Sequence, residues 1–137
     1  MKRLPQVALA NDDGTVVCEH CLLAETMFAR LRGLLGRSGL SSGEGMLLRP
    51  AASIHTAFMR FAIDAVFLDR ESRVLKVAAE LPPWRAAACR GSRTVLELPA
   101  GEAARQGLRP GVSLTQVWRS EPASRPRPQA PASARPG

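Results

Sequence analysis

The sequence predicts a mainly β fold, a single small β-sandwich or barrel-like domain with one short helix. Three observations carry this. Apolar runs of strand length, such as Met46 to Leu48, Val74 to Ala79 and Thr94 to Leu98, are separated by turn-forming clusters. Only the stretch from Met27 to about Gly36 repeats its apolar residues at helical spacing. The 137 residues leave room for one domain and one core.

Residues 1–13 read as a flexible lead-in ending in the turn Asn11-Asp12-Asp13-Gly14. Thr15 to Leu23 has the β-branched and apolar character of a strand. Thr26 then caps the helix, on which Met27, Leu31, Leu34 and Leu35 share a face. Arg30, Arg32 and Arg37 fall toward its flanks or end, where a solvated position is the plain expectation, although Arg30 and Arg37 can also swing toward the sheet. Ser41 to Gly45 is a loop and Met46 to Leu48 a short buried strand. The apolar run from Ile54 to Asp69 supplies two strands split by a bend at Arg60 to Ala62. Asp69 to Ser72 turns the chain into Val74 to Ala79. Leu81-Pro82-Pro83-Trp84 must be extended or turn-like, because two prolines exclude helix and central strand. After the strand Thr94 to Leu98, Gly101 to Gln106 makes one or two helical turns, and Val112 to Trp118 is the last strand. The domain is thus expected over residues 14–118. The Pro/Ala/Arg-rich stretch 119–137 has no large apolar residue to bury and is expected to be a disordered tail.

The formal charge of +7 invites a nucleic-acid reading. Its distribution argues against one. Seventeen of the nineteen basic residues are Arg, and they accompany abundant Ala, Gly and Pro, the joint skew of a GC-rich coding sequence. From Arg119 onward four Arg and one Glu give +3, so the rest of the chain carries only +4, scattered without a stripe. No apolar run approaches the length of a membrane span, and the apolar part of the N-terminus is too short for a secretory segment. A cytoplasmic location is expected, with no membrane partner.

Cys18-Glu19-His20-Cys21 is a C-x-x-C, but a zinc site needs four ligands and Cys89 and His55 stand alone. In a regular strand Cys18 and Cys21 also face opposite sides. No metal and no cofactor are expected. Nucleophile-elbow, P-loop and dinucleotide fingerprints are missing from the sequence. What stands out is the run from Ile54 to Asp69, in which His55, Arg60 and Asp64 interrupt an apolar segment. A charge taken out of water is costly unless it is paired. These residues therefore form either a buried polar network or the lining of a pocket. With Arg30, Arg37 and Glu97 they make up the candidate polar site. Asp64 is expected to be buried, accepting hydrogen bonds from Arg60, from Arg37 or from backbone amides near the bend.

Several blocks resemble a known group. Ala24-x-Thr26-x-x-x-Arg30-x-x-Gly33-Leu34-Leu35-x-Arg37, Gly45 to Leu48, and His55-Thr56-x-Phe58-Met59-Arg60-Phe61-x-Ile63-Asp64-x-x-Phe67-Leu68-Asp69 look like the family catalogued as domain of unknown function 192. Val95 to Gly101 and Gly107-Leu108-x-Pro110-Gly111 resemble its closing motifs. The resemblance implies a small, mainly β domain of bacterial and archaeal proteins and implies no activity. Many relatives carry an aromatic-Met-Lys-Asn run where this chain has Phe58-Met59-Arg60-Phe61, so a role of that Asn does not carry over. Many also begin with a secretory signal or lipoprotein anchor, which this N-terminus does not resemble.

The reading that follows is a non-catalytic binding or interaction module with a polar pocket for a small or anionic ligand. The alternative is a hydrolase or carbohydrate-directed enzyme using Asp64, Glu97 and His55. A nucleic-acid-associated protein is the third reading. An enzyme needs two ionisable groups converging in an open cleft, and a nucleic-acid binder needs a continuous basic face.

Overall fold

The computed structural model describes residues 4–34 and 37–117, with the backbone alone at positions 28 and 31–33. In chain order the elements are β1 (Gln6–Ala10), β2 (Val16–Ala24), α1 (Met27–Leu34), β3 (Glu44–Leu48), β4 (Ser53–His55), β5 (Ile63–Leu68), β6 (Val74–Leu81), β7 (Ala86–Ala88), β8 (Thr94–Pro99), α2 (Glu102–Arg105) and β9 (Thr115–Val117). The fold is mainly β, as the spacing of apolar runs predicts. Thr26 caps α1 as expected, its Oγ1 accepting the Ala29 amide at 2.9 Å. The expected last turn of that helix, Leu35 and Gly36, lies outside the described residues, as do Trp118 and the tail 119–137.

Seven strands form one sheet in the order β6-β5-β8-β3-β2-β1-β9, and β4 pairs with β7 in a separate ribbon. Every pairing is antiparallel except β2 with β3. Parallel neighbours need a crossover, and α1 supplies it. The two edges of the sheet curl toward each other: Ser113, just before β9, bridges Arg73, just before β6, without closing a barrel.

Alternation along the strands makes two cores. Val66, Leu68, Leu96 and Leu98 pack with Ala103, Leu108 and Leu114 on the α2 side. Ile63, Ala65, Phe67 and Val95 pack with Leu34, Met46, Ile54 and Met59 on the α1 side. Gly45 marks the tightest approach in β3. A Cβ there would lie 2.9 Å from both Cys18 Sγ and the Glu97 carbonyl oxygen. Gly45→Ala is therefore expected to lower stability by about 1–3 kcal/mol through overpacking. Unchanged thermal unfolding would show that the strands can separate to admit a methyl group.

Two expectations are corrected. The lead-in over residues 1–13 contains β1, whose Val7 to Ala10 are buried between β2 and β9. Pro5 does not break that strand because it precedes the first strand residue, where a missing N–H costs nothing, and its carbonyl accepts the Leu23 amide. The cysteines do not face opposite sides. The register runs Val7↔Cys21 and Leu9↔Cys18, so β2 has one residue more than β1 over this interval. The bulge leaves Glu19 and His20 both exposed and Cys18 and Cys21 both in the α2-side core. The hydrogen bond between the two thiols, followed by burial, pushes the Cys21 thiol well above its usual range. Among the described residues no group of three or more His, Cys, Asp or Glu is placed to hold a metal.

Candidate functional site

Two loops meet at one end of the molecule, and Thr56 holds them together. Its buried hydroxyl donates to the Pro82 carbonyl at 2.7 Å and accepts the Arg85 amide at 2.8 Å. Its backbone N–H donates to the Arg85 carbonyl and its carbonyl accepts the Trp84 amide. A small β-branched residue with an oxygen at this position thus ties residues 56–61 to residues 82–85. Each loop presents one aromatic side chain. Phe58 is 64% exposed and Trp84 is 61% exposed. Their rings meet edge to face, with centroids 5.0 Å apart.

Both aromatics stand in the left-handed backbone region, Phe58 at φ 69° and Trp84 at φ 63°. For a bulky residue that conformation costs on the order of 1–3 kcal/mol and persists only where surrounding bonds impose it. Here the Thr56 bonds impose it. Burial does not account for the pair, because both rings face solvent.

A hollow of about 340 Å³ lies between the start of α1 and the β4–β7 ribbon, lined by Met27, Ser53, Ile54, His55, Ala86, Ala87 and Ala88. His55 Nδ1 accepts the Ala57 amide at 3.2 Å. In the neutral ring the proton then sits on Nε2, which makes the imidazole a donor.

The six residues expected to form one polar site separate into distinct groups. Arg30 and Glu97 form a fully buried ion pair at 2.6 Å on the α1 side. Burial pushes the Glu97 carboxyl above its ordinary range, with the Arg30 charge and hydrogen bond pulling the other way. Arg37 pairs with Glu44 at 2.6 Å near the surface. Arg60 is exposed, and Asp64 does not bind it. Instead the fully buried Asp64 accepts backbone amides of Glu80 (2.8 Å), Gly101 (3.0 Å) and Ala103 (2.8 Å). Burial and amide donors were expected, but these come from the end of β6 and the start of α2 and not from the bend. The β5–β8 register pairs Asp64 with Leu98 and Ala65 with Glu97, so the two carboxylates lie on opposite faces of the sheet. They do not share a cleft with each other. Of the six, only His55 lines the hollow.

Sequence reasoning missed Thr56, Phe58, Trp84 and the ribbon partner β7. Two signals existed: Trp84 follows Pro82-Pro83, which forces it out of regular structure, and Phe58 stands beside the expected bend. Ala86 to Ala88 gave no strand signal, since Ala is depleted in strands.

The structure is that of a small curled-sheet domain with an exposed aromatic pair and a hollow against the β4–β7 ribbon. The chain belongs to the family DUF192, described as an uncharacterized ACR, whose model matches residues 8–116. A UPF0127 protein of Thermococcus sibiricus is 33% identical over 93 residues, covering 64% of this chain and 60% of the relative. The chain thus spans about 60% of the length of that curated relative. A crystal structure of a protein of unknown function from Novosphingobium aromaticivorans is 28% identical, with a TM-score of 0.68 over 82% of this chain and 84% of that one. A Sinorhizobium meliloti protein proposed as a transcription regulator is 22% identical, with a TM-score of 0.72 over 85% of this chain and 97% of that one. This last likeness is one of fold alone. No helix among the described residues is long and apolar enough to cross a membrane.

Proposed function

We propose that this domain is a non-catalytic binding module whose ligand contacts the end built from residues 53–61 and 82–88. The observation that supports the reading is the exposed Phe58–Trp84 pair, held in left-handed backbone by bonds that Thr56 makes to both loops. A pair of rings fixed before binding loses little rotamer freedom when a ligand stacks on it. The opposite-face placement of Asp64 and Glu97 gives no support to acid–base work by that pair.

The test is amide-resolved NMR of the full chain against a fragment set of sugars, amino-acid derivatives and organic anions. Shifts are expected to concentrate at 53–61 and 82–88, and Phe58→Ser and Trp84→Ser are each expected to weaken the best fragment at least ten-fold. Shifts clustering on another surface, or affinity indifferent to both substitutions, would overturn the reading.

A further inference from the structure

The hollow beside α1 is apolar over most of its wall, through Ile54, Met27 and the three alanines of β7, and the polar side chains that line it, Ser53 and His55, can both donate. His55 offers Nε2–H, because its other nitrogen is committed to Ala57. Lys76 rests its ammonium on the carbonyl of Ala88, one of the lining residues, at 2.9 Å. Among the described residues no carboxylate lines the hollow.

Behind Met27 stands Arg30. Its Nε donates to Glu97, while among the described residues its terminal nitrogens meet thioethers, Nη1 to Met27 Sδ and Nη2 to Met59 Sδ, each at 3.5 Å. Sulfur is a weak acceptor, so a carboxylate oxygen would be a stronger partner for a terminal nitrogen of this fully buried guanidinium. Met27 belongs to both environments: it walls the hollow and covers Nη1. Its unbranched side chain has three rotatable bonds, so it can swing aside without moving the helix.

We propose that the hollow binds a small aliphatic monocarboxylate, whose carboxylate takes the His55 Nε2–H and replaces the Met27 thioether on Arg30 Nη1. This rests on the reading of the same end as a binding face. The volume of about 340 Å³ suits a short acyl chain, the alanines and Ile54 accept its methylenes, and Lys76 on the Ala88 carbonyl adds a positive charge nearby.

The experiment titrates the full chain with hexanoate, hexanol and acetate, following amide shifts and heat. Hexanoate is expected to saturate with shifts at 53–55 and 86–88, and to bind at least ten-fold more tightly than either hexanol or acetate. His55→Leu is expected to remove most of that margin and His55→Gln, which keeps a donor, to restore part of it. Met27→Ala should tighten hexanoate binding by clearing the path to Arg30. Equal affinity for hexanol and hexanoate would reduce the site to an apolar hollow and overturn the proposal. Silence toward hexanoate up to about 10 mM, with fragments still shifting the Phe58 and Trp84 loops, would overturn the monocarboxylate and leave the binding face standing. If all of 53–61 and 82–88 stays silent toward every compound, both fall.

Discussion

Asp64→Asn will lower the unfolding free energy by about 2–4 kcal/mol, measured by urea denaturation at neutral pH. The carboxylate is fully buried and both oxygens are engaged by backbone amides, Oδ1 by Glu80 and Gly101, Oδ2 by Ala103. Hydrogen bonds to a charged acceptor contribute roughly twice what neutral ones do. An asparagine oxygen can keep the two donors at the Oδ1 position. Its NH₂ then faces the Ala103 amide, setting donor against donor in a buried site. Asp64→Ala strands all three amides and should cost more than Asn. The damage should concentrate where Asp64 clamps the end of β6 to the start of α2, so hydrogen exchange at Glu80 and Ala103 should accelerate first. Unchanged stability in Asp64→Asn, with only ligand binding lost, would move Asp64 from the scaffold to the site.

Asp64 also marks the limit of what the sequence discloses. A carboxylate inside the run from Ile54 to Asp69 signals burial, because an apolar neighbourhood that long has to pack. Its partners give no such signal. They are backbone N–H groups of residues 16, 37 and 39 positions away, and every non-proline residue carries the same donor. Most strands and the capped helix were legible because apolar period and cap chemistry are local, whereas β1 and the all-alanine β7 were not. The bulge at Glu19-His20 was not, since it depends on register against β1. Phe58 and Trp84 were hidden for a different reason: apolar residues are read as core, and only the tertiary bonds of Thr56 turn these two outward.

The buried Arg30–Glu97 pair joins residues 67 positions apart and should show the largest coupling in the molecule. Arg30→Met leaves the Glu97 carboxylate without its partner, and Glu97→Met leaves the guanidinium, so each single change should cost about 3–5 kcal/mol at neutral pH. The double variant should recover most of the loss, because two apolar side chains of similar length need no desolvation compensation. Glu97 Oε1 already lacks a hydrogen-bond partner among the described residues. The pH dependence separates this from ordinary packing. Burial raises the folded-state Glu97 carboxyl above its unfolded value, so the folded chain holds the proton more tightly and stability declines as pH rises through that raised range. Arg30 opposes the shift, and its removal raises the carboxyl further. The deficit of Arg30→Met relative to the parent should therefore be small near pH 4. It should grow by up to about 1.4 kcal/mol per pH unit, until the folded-state carboxyl ionises. Glu97→Met has no such proton to lose, and its deficit should lack that steep rise. Urea denaturation of the parent, both single variants and the double variant from pH 4 to pH 8 supplies the test. Strict additivity of the two single changes would mean the pair is not coupled as its 2.6 Å geometry requires.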